Sequence, residues 1–154
     1  MIYKSFESLR EGTTIQFPLF ITRDEVKSLC ELISDPNPLH QEGVLDFPDI
    51  IVPGYLLLLA SSAMTHRYIH KPIMSTIMHT SFHRMVYSDT ELLVVNKITA
   101  LRPQHKKIFP KSKAEYGLVR LLRNIYDIAD GTLCVKHDVC FYMEHKRKNN
   151  DDLQ

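Results

Sequence analysis

The hydrophobic positions change period partway along this chain, dividing it into a helical first half and a β-rich second half. Residues Thr13 to Phe20 are rich in β-branched and aromatic side chains and predict a first strand ending near Pro18. Thr22-Arg23-Asp24-Glu25 fits a capping box, in which the threonine and the glutamate satisfy orphan amides reciprocally. Val26, Leu29, Cys30 and Ile33 follow at helical spacing, so an amphipathic helix is expected from about Arg23 to Ser34, ended by Pro36 and Pro38. A second helix should start at Pro53 or Gly54 and run to about Tyr68. Leu56, Leu57, Leu58, Leu59, Ala60, Ala63 and Met64 leave little of it polar, which predicts burial on more than one side.

After Lys71-Pro72 the period shortens. Met74 to Val86, Thr90 to Leu101, Leu118 to Ile128 and Thr132 to Met143 read as strands, separated in part by Tyr87-Ser88-Asp89 and Ala129-Asp130-Gly131 turn chemistry. Arg102 to Lys113, with two prolines, is less regular. One buried helix followed by antiparallel strands is the α+β pattern of a sheet wrapped around a central helix. A sheet covered in this way commonly completes its core by pairing with a second copy, so a homodimer is expected.

Composition sharpens the picture by exclusion. At 154 residues the chain holds one ordinary domain, expected over 1–145, with 146–154 a disordered tail. The formal net charge of +1 gives no global electrostatic case for nucleic acid or an anionic membrane. Ser61, Ser62, Thr65 and His66 interrupt the longest apolar run too early for a membrane span. The N-terminus has no apolar core of signal-peptide length, and three cysteines without framework spacing suit reduced thiols in the cytoplasm.

The candidate chemistry starts at Asp35-Pro36-Asn37-Pro38-Leu39-His40. A carboxylate and an imidazole five positions apart on a proline-stiffened loop can hold a water and move its proton near neutral pH. The same residues also make an ordinary helix-ending turn, with Asp35 capping backbone amides and Asn37 forming an Asx turn. Gly54, at a helix start, can offer a backbone N–H to an oxyanion. The pairs His66/His70 and His79/His83 have helical and strand spacings that bring two imidazoles together, but no third ligand stands at a telling distance, so no metal is expected. Lys106, Lys107, Lys111 and Lys113 form a basic cluster, read either as a solvated loop or as a grip on carrier phosphates. No phosphate-cradling glycine loop is present, and neither ATP nor NAD is implied.

Taken together, Ser34-Asp35-Pro36-Asn37-Pro38-Leu39-His40 and Ile51-Val52-Pro53-Gly54-Tyr55-Leu56-Leu57 resemble the signature of MaoC-like (R)-specific enoyl-CoA hydratases and 3-hydroxyacyl dehydratases. The resemblance runs from about Ile15 to Met143, and its Asp-x-Asn-Pro-Leu-His core is the specific part. It departs from the family where Ser34 replaces a glycine, where Glu42 replaces an aspartate, and in a shorter interval between His40 and Gly54.

The resemblance implies a hot-dog fold and reversible hydration of a trans-2-enoyl thioester carried on coenzyme A or an acyl carrier protein, with no cofactor. It assigns Asp35 and His40 as the catalytic pair and Asn37 as the residue that fixes their loop. The Gly54 amide would be the oxyanion donor, with Tyr55 and Ser62 as further substrate-binding residues. Two other readings stay open: a hot-dog thioesterase, and a non-catalytic subunit that binds acyl chains.

Overall fold

A computed structural model describes residues 4–43, 46–69, 72–104 and 115–145. The basic cluster at 106–113, His70 and the C-terminal tail lie outside these residues.

Strand β1 (Thr14–Phe20) is followed by helix α1 (Arg23–Ile33) and, after a loop, by helix α2 (Gly54–His66). Strands β2 (Pro72–Phe82), β3 (Glu91–Gln104), β4 (Glu115–Asp127) and β5 (Leu133–His145) complete one five-stranded sheet in the order β1-β3-β4-β5-β2. Every pairing is antiparallel. The sheet packs its inner face on α2, which is the hot-dog arrangement.

Alternation places Ile15, Phe17 and Leu19 of β1, Leu92, Val94 and Ile98 of β3, and Leu121 and Ile125 of β4 in that inner face. Leu57 of α2 packs into the same core. Burial of these side chains is the main favourable term holding the layers together.

Helix α1 starts at the expected capping box. The Thr22 hydroxyl accepts from the Glu25 amide at 3.2 Å, and the Glu25 carboxylate accepts from the Thr22 amide at 2.8 Å. At its other end the Asp35 amide donates to the Cys30 carbonyl at 2.9 Å and the Ser34 amide to the Glu31 carbonyl at 3.2 Å, a Schellman motif. Ser34 there adopts φ 53°, ψ 46°, a left-handed conformation that glycine takes without penalty. Because Ser34 is exposed, Ser34→Gly is expected to stabilise the protein by about 0.5–1 kcal/mol, read as a higher urea midpoint.

Two expectations need correction. β2 ends at Phe82, not at Val86: the His83 and Arg84 amides both converge on the Cys134 carbonyl of β5, which breaks the ladder, and beyond them the Val52 amide donates to the Val86 carbonyl and Ile51 bridges Tyr87. His83 therefore lies beyond the strand and does not share a strand face with His79. In α2, only one side is covered by the chain's own sheet. Leu57, Ser61 and Thr65 are buried, whereas Leu59 is 60% exposed and Tyr55 43%.

A polar row crosses the inner face of this otherwise apolar sheet. Thr80 of β2 pairs with His137 of β5, His137 with Arg123 of β4, and Arg123 with Asn96 of β3. Asn96, Arg123 and His137 are all buried. The Arg123 guanidinium donates to Asn96 Oδ1, Ser61 Oγ, Ser62 Oγ and Thr65 Oγ1 at 2.8–3.0 Å. These four acceptors are neutral, and burial pulls its pKa down to about 10.

His137 shares a 2.7 Å hydrogen bond with Thr80. Burial, and then the Arg123 charge, pull its pKa from 6.5 to about 4. The folded state thus holds His137 neutral while an unfolded chain would protonate it. Its contribution is fully present above about pH 6.5 and is lost as pH falls towards about 4, amounting to roughly 3 kcal/mol. Urea denaturation across that range should show the fall, and His137→Gln should flatten it.

Candidate functional site

The site is built where the loop after α1 meets the start of α2. The Schellman motif turns the chain so that Asp35 leaves α1 with its backbone amide already bonded. Asp35 Oδ1 accepts from the Asn37 amide at 2.9 Å, and Asn37 Oδ1 accepts from the Leu39 amide at 3.1 Å. These are the local turn contacts that the sequence allows. Each side chain has a second end free for other work.

For Asn37 that end is Nδ2, which donates to His40 Nε2 at 3.3 Å. His40 sits in a short 3-10 turn, Pro38–His40, and its Nδ1 is 2.7 Å from the Ile51 carbonyl. A carbonyl can only accept, so Nδ1 carries the proton and Nε2 keeps its lone pair in the neutral ring. The Leu39 carbonyl accepts from the Ile51 amide at 3.1 Å, binding the loop to the segment that leads into α2.

For Asp35 the second end is Oδ2, which accepts a hydrogen bond from the Tyr55 hydroxyl at 2.7 Å. This bond, then the one from the Asn37 amide, holds the Asp35 carboxyl below the usual carboxylate range. Burial and the adjoining carboxylate push the Tyr55 phenol upward, so it stays a donor.

His40 and Gly54 line one cavity of about 440 Å³, together with Ile51, Val52, Leu57 and Phe82. Gly54 opens α2, where the first amides have no intrahelical acceptor. A Cβ at Gly54 would lie 2.6 Å from the Phe82 ring, so any other residue there would have to displace that ring from the helix start.

The structure thus links Asp35 to Asn37 and Tyr55, and Asn37 to His40, by hydrogen bonds, and of the five residues Asp35, Asn37, His40, Gly54 and Tyr55 it places His40 and Gly54 in the cavity lining. Ser62 lies two turns further along α2 and accepts from Arg123; it does not line this cavity. Glu42 pairs with Arg23 at 2.8 Å and with Lys27, so it braces the loop from outside. Asp49 accepts from Arg23 and Ser88 at 2.9 Å, tying the same loop to the turn before β3.

Among the described residues, no cluster of three histidine, cysteine or carboxylate side chains is placed to hold a metal, and no helix is long and apolar enough to cross a membrane. The sequence reading missed the Arg123 row. Its signal was available, since Asn96, Arg123 and His137 each stand at an inward position of an alternating strand.

No family model matches the chain, and no curated protein matches it. Solved structures do. A monoamine oxidase regulatory protein from Archaeoglobus fulgidus superposes with a TM-score of 0.72 at 16% identity, covering 94% of this chain and 97% of the other. The (R)-hydratase from A. caviae involved in PHA biosynthesis superposes at 0.65 with 22% identity, covering 89% and 98%. The MaoC-like dehydratase from Rhodospirillum rubrum superposes at 0.64 with 16% identity, covering 92% and 97%. The chain has the hot-dog fold of MaoC-like proteins.

Proposed function

We propose that this protein catalyses the reversible hydration of a trans-2-enoyl thioester to an (R)-3-hydroxyacyl thioester, with the acyl group on coenzyme A or an acyl carrier protein. The observation that carries the reading is one cavity lined both by His40, with its Nε2 lone pair, and by Gly54 at the helix start. Water addition at C3 needs a proton acceptor beside the water and a donor for the thioester oxygen as it gains enolate character. His40 and Asp35 supply the polar pair that holds the water and exchanges its proton with C2. The Gly54 amide donates to the oxygen, aided by the positive end of the α2 dipole.

The working form proposed is a homodimer. Tyr55 and Leu59 on α2, with Met78 and Phe82 on edge strand β2, are large apolar side chains left exposed in the single chain. A second copy seated there would cover them.

The test follows the ultraviolet absorbance of a short trans-2-enoyl-CoA with purified protein whose association state is read by sedimentation velocity. Loss of enoyl absorbance with formation of the 3-hydroxyacyl product supports the reading. Thioester cleavage without hydration would replace it with thioesterase chemistry. Acyl-thioester binding without turnover, across coenzyme A and carrier-protein substrates, would replace it with a binding subunit.

A further inference from the structure

The geometry points to Tyr55 as a positioning residue that locks the Asp35 carboxylate to the first turn of α2, leaving His40 Nε2 as the proton acceptor of the site. This inference rests on the hydration reading for its catalytic half, whereas its structural half stands on the tyrosine–carboxylate bond alone.

Asp35 occupies the first residues of a loop, directly after a left-handed Ser34. Its backbone amide and Oδ1 are fixed by Cys30 and the Asn37 amide, but rotation about the carboxylate would leave Oδ2 unconstrained. The Tyr55 hydroxyl, 2.7 Å from Oδ2, removes that freedom. Tyr55 adjoins Gly54 in the first turn of α2, so one helical turn carries both the oxyanion amide and the anchor of the carboxylate. The two groups then keep a fixed geometry relative to each other, which is what a reaction needing simultaneous donor and acceptor requires.

The bond also divides the labour. With a phenol on Oδ2 and an amide on Oδ1, Asp35 is a weakened base, whereas His40 keeps a lone pair opposed only by the longer 3.3 Å contact from Asn37. The groups facing Asp35 are few: the Cys30 thiol from α1, whose pKa burial raises, the Tyr55 phenol from α2, and the His40 imidazole from the intervening loop. Tyr55 exerts the largest effect of the three on the carboxyl.

The experiment compares wild type with Tyr55→Phe, which deletes one oxygen and keeps the ring. Titration of the Asp35 side-chain carboxyl by carbon-13 NMR needs no substrate. Its midpoint should rise in Tyr55→Phe, because the ionised form loses a donor. An unmoved midpoint overturns the inference whether or not the protein hydrates thioesters.

In wild type active on an enoyl-CoA, Tyr55→Phe should lower kcat about tenfold with KM within about twofold. A raised KM at unchanged kcat would make Tyr55 a substrate contact and overturn the positioning role. An inactive wild type would sink the hydration reading while leaving the NMR result to decide the anchor.

Discussion

Asp35→Asn and His40→Ala are each expected to lower enoyl-thioester turnover at least about a hundredfold while the protein stays folded. An asparagine keeps the shape of Asp35, and its carbonyl can still accept from the Asn37 amide. Its NH₂ group cannot accept from the Tyr55 hydroxyl but only donate to it, so the bond to the first turn of α2 reverses and loses its charge assistance. The negative charge that would favour an imidazolium at His40 during proton transfer is lost as well.

In His40→Ala the ring nitrogen that the Ile51 carbonyl keeps unprotonated at the cavity disappears. The structural cost is limited to the bonds with Ile51 and Asn37, roughly 1 kcal/mol each, at a half-buried position. Steady-state rates together with circular dichroism melting separate the two effects. Turnover surviving in both variants would remove this pair from the mechanism.

Arg123→Ala should destabilise the protein strongly, by about 3–5 kcal/mol in urea denaturation. Two effects oppose each other here. Removing a buried cation with only neutral acceptors relieves a desolvation cost. It also removes the charged donor from Asn96 Oδ1, Ser61, Ser62 and Thr65, of which Thr65 keeps a longer bond from Asn96 Nδ2 at 3.3 Å, and opens a void between α2 and the sheet.

The second effect wins because charge-assisted hydrogen bonds contribute about 1.5–3 kcal/mol each, and four are lost at once. The Ser61 and Thr65 hydroxyls already donate to the carbonyls of Leu58 and Ser61, so they cannot turn to compensate. Arg123→Met, which refills the void but restores no donor, should fall between wild type and Arg123→Ala. Equal stability of Arg123→Ala and wild type would show that desolvation relief offsets the whole network.

The legible parts of this fold were those written in local chemistry. Thr22 and Glu25 announce the start of α1 three residues apart, and Pro36 and Pro38 forbid its continuation, so both ends of that helix could be placed from residues alone. The end of β2 could not. Residues up to Val86 look strand-like, but whether they join β5 or turn back to Ile51 and Val52 depends on partners more than thirty positions away.

The candidate site divides in the same way. The contacts of Asp35 with Asn37 and of Asn37 with Leu39 span two residues and follow from turn chemistry. The bonds from Tyr55 to Asp35 and from His40 to Ile51 span twenty and eleven, and they exist only once α2 has docked. Ser62 pointed the other way: on the sequence it read as a site residue, yet its hydroxyl belongs to Arg123.

The placement of Arg123 also bears on how α2 distributes charge. Its guanidinium rests against Ser61, Ser62 and Thr65, the final turns of a helix whose last-turn basic residue, His66, is held towards its neutral form by burial and by Arg123 itself. Carbonyl ends of helices favour a cation, and a strand from the opposite layer delivers one there from inside the protein, out of reach of salt. The peptide dipoles of α2 thus face a fixed positive charge at one pole and an open cavity at the other. A negative charge that forms at Gly54 during a reaction would complete this polarity at the vacant pole, and no ion from solvent would be needed at either end.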